Sequence, residues 1–433
     1  MIIDLLTKLS NLNECARSAI NMTPSENILS PLARLPFILD AYSRYFLDDL
    51  RLFGKWCFPG GKELGEIEQD ILIPLLKTMT GASYVNVRPI SGINCMTIAL
   101  AALAKINDII LTVPVEVGGH PSTRVVAERL GLSVKHIPFQ NTFDIDYERL
   151  EALLSQCKPR LIYIDQSTQL FPIDPYRIRQ LVNAVSSDTI IHYDSSHING
   201  LILGGALFNP LKNGAHSFGG STHKTLPGPH KGFLATNDKE IAMKFLDTTD
   251  HFVSHHQMAS VISLTITLIE MQECLGVDYA KQSISNAKQF AKSLSENDFI
   301  VSGKERDFSE CHQVWAFPRE HNKTELLSNK LSQLGIITNN FSALPAIKNN
   351  AFRFSLSEFT RMGGTEADVK NVAKIIADTL SCVNEKKNDG ALRKRVKILR
   401  EKINTPSFCY RLEDLKNAPL SEHLKKISNL LFV

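Results

Sequence analysis

The chain has 433 residues, of which 43% are hydrophobic and 21% are charged, and its formal net charge at pH 7 is +3. This length and apolar content predict one large and one smaller domain. The near balance of charge excludes the strongly basic field that is typical of nucleic-acid-binding proteins. No apolar run approaches the ~18 residues that a membrane-spanning helix needs. We therefore expect neither a nucleic-acid partner nor a membrane span.

The N-terminal segment and the cysteines indicate where the protein works. Residues 1–20 contain Asp4 and Lys8, which interrupt the apolar core of a signal peptide and favour an amphipathic helix. None of the eight cysteines stands in a CxxC pair, so no zinc site or redox motif is expected. Scattered free thiols are typical of a reducing compartment, and we predict a cytoplasmic protein.

Short apolar runs alternate with helical patterns in the first two thirds of the chain. This alternation predicts a mostly parallel sheet with helices on both faces. The predicted strands fall within 108–114, 132–139, 160–167 and 189–196, and the predicted helices within 66–81, 122–131, 146–157 and 175–187.

The pattern changes near residue 275, where a long amphipathic helix (278–297) is followed by shorter strands and helices. The predicted organisation is an N-terminal arm (1–30), a large domain (31–275), a small α+β domain (276–385), and a basic helix with a tail (386–433). Residues 386–402 carry eight Lys and Arg residues. Leu392, Val396, Leu399 and Ile403 form an apolar stripe behind these charges, which favours a packed helix over an anion-binding segment.

Polar residues follow two of the predicted strands. Asp165 follows "LIYI", Asp194 follows "TIIHY", and the segment 222–224, "THK", comes about thirty residues later. Ligands of open parallel sheets bind beyond the carboxyl ends of the strands. We therefore expect these acids, histidines and a lysine to meet at one edge of the sheet.

Such a set of residues suits pyridoxal phosphate (PLP). A lysine can form a Schiff base with this aldehyde cofactor, and an acid must keep its pyridine nitrogen protonated; Lys224 and Asp194 meet these two needs. The phosphate needs N–H groups and hydroxyls at the start of a helix, which Ser91 and Gly92 supply. Each feature is common by itself, but the ordered set predicts a PLP site.

Five stretches resemble motifs of the serine hydroxymethyltransferase family, whose members are PLP enzymes of fold type I. "GSTHKTLPGPHKG" is similar to the family's lysine motif TTTHKTLRGPRGG, and "DSSHINGLILGG" to its acidic motif D-x-AHxxGL. "NVRPISGINCM", "TPSENILSP" and "VGGHPSTR" resemble NVQPxSGxxAN, ASEN and GGHLTHG. "YDSSHINGLILGG", "LIYIDQS" and "FCYRLEDL" are more similar to the L-threonine transaldolase branch than to the housekeeping enzyme. The resemblance implies an α/β fold, with a mostly parallel seven-stranded sheet between helices and a smaller C-terminal α+β domain.

The resemblance also implies residue roles. Lys224 matches the lysine that binds the cofactor, Asp194 the acid at the pyridine nitrogen, and His120 the histidine stacked on the ring, and these three are the predicted catalytic residues. The predicted cofactor-binding residues are Ser91, Gly92, His120, Ser167, Asp194, His197, His223 and Lys224. Arg353 matches the arginine that binds the substrate carboxylate, and Ser25 a hydroxyl of the substrate pocket. The family further implies a homodimer with cofactor sites at the subunit interface.

The chain departs from the family where folate is handled. The family's KYAEGYPGKRYYGG corresponds to residues 41–63, where Gly60 and Gly61 remain and the tyrosine before them is replaced by Pro59. Candidates to replace the tyrosine and the glutamate that the family uses in this stretch are Tyr42, Tyr45, Asp48 and Asp49. The family's GGQGGP turn reads "SHHQMAS" (254–260) and has lost its glycines. Histidines 251, 255 and 256 cluster there, but no carboxylate or cysteine is spaced to complete a metal site, and none is predicted.

These features favour a PLP-dependent transferase that cleaves the Cα–Cβ bond of L-threonine and transfers the glycyl unit to an aldehyde. The alternatives are a serine hydroxymethyltransferase or threonine aldolase, and a protein that binds PLP without catalysis. The transaldolase, the hydroxymethyltransferase and the aldolase differ in the acceptor, which is a second aldehyde, folate or water, respectively.

Overall fold

The computed structural model describes residues 1–47, 58–341, 344–384, 389–411 and 422. It forms two compact units, the first containing Met1–Glu26, Gln169–Phe171 and Lys281–Ser407, and the second Asn27–Thr168, Pro172–Ala280 and Phe408–Val433. Asp48, Asp49 and the tail after residue 411, except residue 422, lie outside the described residues.

The α-helices of the described residues are α1 (Ile2–Ser18), α2 (Pro31–Arg34), α3 (Lys62–Ile67), α4 (Ile73–Thr80), α5 (Gly92–Leu103), α6 (Pro121–Arg129), α7 (Tyr147–Cys157), α8 (Tyr176–Val185), α9 (Asn199–Leu203), α10 (Lys239–Phe252), α11 (Met258–Glu273), α12 (Gly276–Ser295), α13 (Thr324–Leu334), α14 (Ser357–Arg361), α15 (Glu366–Ser381) and α16 (Asp389–Lys402). The strands are β1 (Ile20–Asn21), β2 (Tyr84–Asn86), β3 (Ile109–Thr112), β4 (Ser133–His136), β5 (Leu161–Asp165), β6 (Ile190–Asp194), β7 (Ser217–Ser221), β8 (Gly232–Thr236), β9 (Phe299–Val301), β10 (Gln313–Pro318), β11 (Ile336–Ile337), β12 (Asn339–Phe341) and β13 (Ala351–Ser355).

The second unit is built on a seven-stranded sheet with the strand order β2-β8-β7-β6-β5-β3-β4. The pairs from β4 to β7 are parallel, and β8 pairs antiparallel with both β7 and β2. All five residues of β5 are buried, as a strand covered on both faces requires. The predicted α/β fold with a mostly parallel seven-stranded sheet is confirmed.

Each of the four predicted strands coincides with one of β3, β4, β5 and β6, whereas β2, β7 and β8 were not predicted. The glycines in "SFGGS" and "GFLAT" weaken the strand pattern of β7 and β8. The two strands are buried and pack closely, which explains the presence of glycine: a Cβ at Gly219 would lie 2.0 Å from the Phe233 carbonyl oxygen.

The predicted helix at 66–81 is divided into α3, a π-helical turn (Glu68–Leu72) and α4. Pro74 lies in the first turn of α4 and has no N–H with which to continue the regular hydrogen-bond ladder. A π-helical turn accommodates that interruption without ending the helix.

The first unit contains a four-stranded antiparallel sheet, β12-β13-β10-β9, and the short parallel pair β1-β11. Every residue of β10 and β13 is buried. In α16, Leu392, Val396 and Leu399 are buried and the charged residues flank them, so the prediction of a packed basic helix is confirmed.

Among the described residues, no single helix is long and apolar enough to cross a membrane. The bent pair of α11 and α12 meets that criterion on length and composition only.

Candidate active site

A cavity of about 260 Å³ lies in the second unit, at the carboxyl ends of β5, β6 and β7. All eight predicted cofactor-binding residues line it, together with Ile93, Met96, Asp165, Gln166 and Ser196. The strand order explains this, because β5, β6 and β7 are neighbours whose polar ends meet at one edge of the sheet.

Lys224 follows β7 and is half-buried in the cavity wall. Its Nζ donates a hydrogen bond to Ser221 Oγ over 2.7 Å. The turn is held from behind by Asn27, whose Nδ2 donates to the Lys224 carbonyl oxygen at 2.6 Å and to the Tyr279 hydroxyl at 2.9 Å. Asn27 lies in the quoted motif "TPSENILSP", but its distance from Lys224 in the sequence concealed its role.

Asp194 ends β6 with both carboxylate oxygens already hydrogen-bonded. Oδ2 accepts from the Tyr163 hydroxyl and Oδ1 from the Ser196 N–H, both at 2.9 Å. Gly220 faces this carboxylate with φ at +143°, and a Cβ there would lie 2.3 Å from Ser196 Oγ and 2.9 Å from Asp194 Oδ1. Only glycine leaves this space open beside the acid.

The N-terminus of α5 forms another wall of the cavity. Ser91 is its N-cap, and Ser91 Oγ accepts the Asn94 N–H at 3.1 Å. A Cβ at Gly92 would lie 3.2 Å from both Ser196 Oγ and Ser221 Cβ, so the absent side chain keeps the helix start accessible. Free N–H groups at the start of a twelve-residue helix suit a phosphate.

His120 is the N-cap of α6, and its Nδ1 accepts the Ser122 N–H at 3.2 Å. Its backbone N–H donates to Asp165 Oδ2 at 3.0 Å, and the Thr123 hydroxyl donates to the same oxygen. The loop before it is tied to the end of β5, because Ser167 N–H donates to the Gly118 carbonyl at 3.0 Å. Burial and the neighbouring Asp194 charge raise the pKa of Asp165 well above its ordinary value, although the Thr123 hydrogen bond opposes the shift.

Two further histidines line the cavity. His197 is buried, and His223 stacks on His230 with ring centroids 4.0 Å apart. Burial, followed by the charges of Lys224 and His230, lowers the pKa of His223 to about 3. His223 is therefore neutral at neutral pH and presents one donor and one acceptor nitrogen.

The two predicted substrate residues, Arg353 and Ser25, belong to the first unit. Arg353 lies on β13, and its Nη2 donates to Asn339 Oδ1 at 3.3 Å. Its guanidinium carbon lies 4.7 Å from the centre of the Phe341 ring. Burial lowers the pKa of Arg353 to about 10, so the side chain remains cationic at neutral pH.

The three histidines of residues 251–256 have separate environments. His251 is exposed, His255 stacks on Tyr45 with centroids 5.0 Å apart, and His256 is buried. Both carboxylate oxygens of Glu68 lie 2.9 Å from His256 Nδ1. Sequence spacing offered no carboxylate to complete a metal site here, and Glu68, which is 188 residues away in the sequence, contacts His256 as a hydrogen-bond partner. Among the described residues, no group of three or more His, Cys, Asp or Glu side chains is arranged to hold a metal ion.

Gln257 lies in the segment that corresponds to the family's GGQGGP turn and adopts φ of +54°. This left-handed conformation is costly for a non-glycine residue. Lys231 stabilises the same segment, because its buried Nζ donates to the His256 carbonyl oxygen at 2.9 Å.

We expect Glu68→Ala to lower the free energy of unfolding by about 3–5 kcal/mol, because it removes the buried carboxylate that pairs with His256 and offsets the nearby Lys231 charge. Burial raises the pKa of Glu68, but His256, Lys231 and Arg88 together outweigh it and hold the pKa below its ordinary value. The stabilisation is therefore present above the ordinary glutamate pKa and is lost as the pH falls through the lowered one. Urea denaturation of the variant measures this, with the partly exposed Glu66→Ala as control. Equal losses of unfolding free energy in Glu68→Ala and Glu66→Ala would contradict the stabilising role assigned to Glu68.

A lysine, a strand-end carboxylate and an open helix N-terminus surround one cavity on a mostly parallel seven-stranded sheet. These residues fit PLP, since they offer a primary amine, an anion for the ring nitrogen and N–H donors for a phosphate. The fold and the cavity together define a PLP-dependent enzyme of fold type I.

Residues 13–376 match the family model described as "Serine hydroxymethyltransferase". The chain belongs to the serine hydroxymethyltransferase family, as its motifs predicted, and PLP is its cofactor.

Curated relatives include both branches of that family. An L-threonine:uridine-5'-aldehyde transaldolase from an Amycolatopsis species is 36% identical over 93% of this chain and 96% of its own length. A serine hydroxymethyltransferase from Pyrobaculum arsenaticum is 32% identical over 84% of this chain and 85% of its own. The crystal structure of L-threonine transaldolase from Pseudomonas fluorescens in the internal aldimine state matches with a TM-score of 0.82 and 26% identity, covering 98% of this chain and 97% of that one.

Proposed function

We propose that this chain is an L-threonine transaldolase. It would cleave the Cα–Cβ bond of L-threonine, release acetaldehyde, and transfer the glycyl unit to an aldehyde acceptor. The observation that carries the proposal is the cavity in which Lys224 and Asp194 meet, in a chain whose transaldolase relatives reach 36% identity over 93% of its length. Those relatives make uridine-5'-aldehyde the first acceptor to test.

Bound PLP supplies an electron-accepting ring, which makes a bond to the substrate Cα easier to break. Lys224, which lines the cavity and whose Nζ is hydrogen-bonded to Ser221 Oγ, is the amine that would hold the cofactor's aldehyde carbon. Asp194 would accept the hydrogen bond of the ring nitrogen and keep that nitrogen protonated. Ser91, Gly92 and the start of α5 would bind the phosphate.

The remaining cavity residues would orient the ring and the substrate. Ser167 and His197 are proposed partners of the ring hydroxyl, and His223 lies on the phosphate side. His120 would take the proton of the substrate β-hydroxyl as Cα–Cβ cleavage begins, and Asp165 holds the backbone of that histidine. Ser25 is proposed as a hydroxyl of the substrate pocket.

The test of the function uses the PLP-loaded protein and L-threonine without folate, with acetaldehyde measured by a coupled dehydrogenase. We expect acetaldehyde release and, with uridine-5'-aldehyde added, a new β-hydroxy amino acid detected by mass spectrometry. Turnover of serine only with tetrahydrofolate would instead identify a serine hydroxymethyltransferase, which the Pyrobaculum relative keeps as the second candidate. Acetaldehyde with glycine as the sole other product, whichever aldehyde is added, would identify a threonine aldolase.

We expect His120→Ala to lower the rate of threonine cleavage by about 10²–10⁴, the usual contribution of a positioned acid–base group. The cofactor's covalent attachment to Lys224 should survive, so the visible absorbance of the purified protein is unchanged. His251→Ala is the matched control, because that histidine is exposed. Acetaldehyde release at the parent rate by His120→Ala would refute the role.

Arg353 is proposed to bind the carboxylate of the amino acid, on the basis of its motif "AFRFSLSEFTRMGG". An ammonium cannot reproduce the two parallel hydrogen bonds of a guanidinium. We expect Arg353→Lys to raise the KM for threonine about 30-fold, which corresponds to about 2 kcal/mol for one lost hydrogen bond to a charged group. Initial-rate kinetics measure the change, with Arg319→Lys, which is exposed, as the control. An unchanged KM would place the substrate carboxylate elsewhere.

We further propose a cytoplasmic homodimer. In α1 no residue is buried, and Ile2, Leu5, Leu6 and Leu9 are each more than half exposed. An unpacked amphipathic helix of this kind suits a second copy of the chain. Free cysteines throughout the described residues suit a reducing compartment. Light scattering should give roughly twice the monomer mass of 48.3 kDa.

A further inference from the structure

Tyr163 lies in the interior of the second unit, two residues before the end of β5, and its side chain is 0% exposed. Its hydroxyl donates to Asp194 Oδ2 over 2.9 Å. The Tyr163 hydroxyl is therefore hydrogen-bonded to a carboxylate that lines the cavity, although Tyr163 itself does not line the cavity.

The register of the sheet fixes this geometry. In the parallel pair of β5 and β6, Tyr163 lies opposite His192, and Asp165 opposite Asp194. Side chains two residues apart on a strand share a face, so the tyrosine and both acids point to the same side of the sheet. The Tyr163 and His192 rings stack with centroids 5.1 Å apart and an interplanar angle of 23°. That stacking restricts the ring and keeps the hydroxyl directed at Asp194.

Tyr163 remains a hydrogen-bond donor at all ordinary pH values. Burial, and then the neighbouring Asp194 and Asp165 charges, raise its pKa well above the ordinary value. Removal of the hydroxyl would leave Asp194 Oδ2 without this donor, beside a second carboxyl group. A phenylalanine fills nearly the same space, so packing alone does not account for the hydroxyl.

We propose that Tyr163 is a positioning residue that acts through Asp194, orienting its carboxylate and stabilising its negative charge toward the ring nitrogen of PLP. Hydrogen bonds to a carboxylate favour its charged form. A carboxylate held in one orientation also presents the same oxygen atom to the ligand. The proposal rests on the role of Asp194 in the proposed function. According to this proposal, a residue outside the cavity wall controls how strongly Asp194 interacts with the ring nitrogen of the cofactor.

The test compares two ligands on the Tyr163→Phe protein: PLP and its 1-deaza analogue, in which carbon replaces the ring nitrogen. Apoprotein is titrated with each, and the two dissociation constants are determined from absorbance. We expect Tyr163→Phe to weaken PLP binding about tenfold, less than the loss of a direct hydrogen bond to a charged group, because Tyr163 acts through Asp194. Binding of the deaza analogue, which does not engage Asp194 through a ring nitrogen, should be unchanged. Since both ligands bind the same protein, a general loss of stability cannot produce this difference.

Tyr193→Phe is the matched control. Tyr193 is 1% exposed and lies on β6, with its ring packed edge-on against Phe208 at 5.9 Å between centroids. It precedes Asp194 and therefore points to the opposite face of the sheet. We expect this variant to leave the ratio of the two dissociation constants at the parent value.

Equal weakening of both ligands by Tyr163→Phe would show a merely structural tyrosine and overturn the proposal, as would an unchanged affinity for PLP. Asp194→Asn separates this failure from failure of the proposed function. If Asp194→Asn abolishes the preference for PLP over the analogue while Tyr163→Phe does not affect it, only the role of Tyr163 is wrong. If neither variant changes the preference, Asp194 does not serve the ring nitrogen, and both assignments fail.

Discussion

We expect the Lys224→Ala variant to lose threonine cleavage by about 10³-fold or more, the scale found when a covalent catalytic group is removed. The half-buried Nζ of Lys224 is the amine proposed to attach the cofactor, and alanine offers no replacement. The same variant should lose PLP on dialysis, because only non-covalent contacts then retain it. Acetaldehyde release and the visible absorbance of the dialysed protein measure the two effects.

Lys239→Ala is the control for this experiment, since Lys239 is an exposed lysine in the first turn of α10. It should retain both the cofactor and the parent rate. Lys231 is unsuitable as a control, because its buried ammonium supports the His256 segment and its loss would destabilise the fold. A Lys224→Ala protein that kept its rate and its colour would refute the assignment of the cofactor lysine.

The second large effect is expected from Asp194→Asn, which should lower the rate by about 10²–10³, the scale of losing one preorganised electrostatic contact. The amide has the shape of the carboxylate but no charge, so it cannot stabilise a protonated ring nitrogen. Its oxygen can still accept one of the hydrogen bonds from Ser196 or Tyr163, so the fold should persist. Initial rates with threonine, together with the dissociation constant for PLP, measure the effect.

Asp188→Asn provides the comparison, because this exposed aspartate precedes β6 at the amino end of the strand, whereas Asp194 ends it. The comparison variant should behave as the parent protein. If Asp194→Asn also behaved as the parent protein, the ring nitrogen would depend on another group. Asp165, which lies opposite Asp194 in the strand register, would then be the next residue to replace.

Much of the second unit could be predicted from local pattern. Strands β3, β5 and β6 were predictable because each is a short apolar run that stops at polar residues. The same logic placed Asp165 and Asp194 at one edge of the sheet, since parallel strands end on the same side, and the following segment "THK" was expected to join them. In α16 the spacing of Leu392, Val396 and Leu399 indicated the buried face in spite of the surrounding charges.

Three features of the site required the tertiary structure. Tyr163 reaches Asp194 across 31 residues, His256 reaches Glu68 across 188, and Asn27 reaches Lys224 across 197. None of these pairs carries a spacing signal, because the partners lie on different elements. From the sequence alone, Tyr163 would be interpreted as an ordinary core residue and His256 as an ordinary loop residue.

Local sequence was sufficient to predict the fold class, the family and the ordered set of residues proposed to bind the cofactor, because periodicity, strand ends and motifs are local properties of the chain. The tertiary structure decided which side chains support that set. Strand order and register brought Tyr163 beside Asp194, and the packing of distant segments placed Asn27 behind Lys224. Contacts between elements depend on how the elements assemble, and a buried hydroxyl or amide acquires its role from the partner that this assembly places within hydrogen-bonding distance.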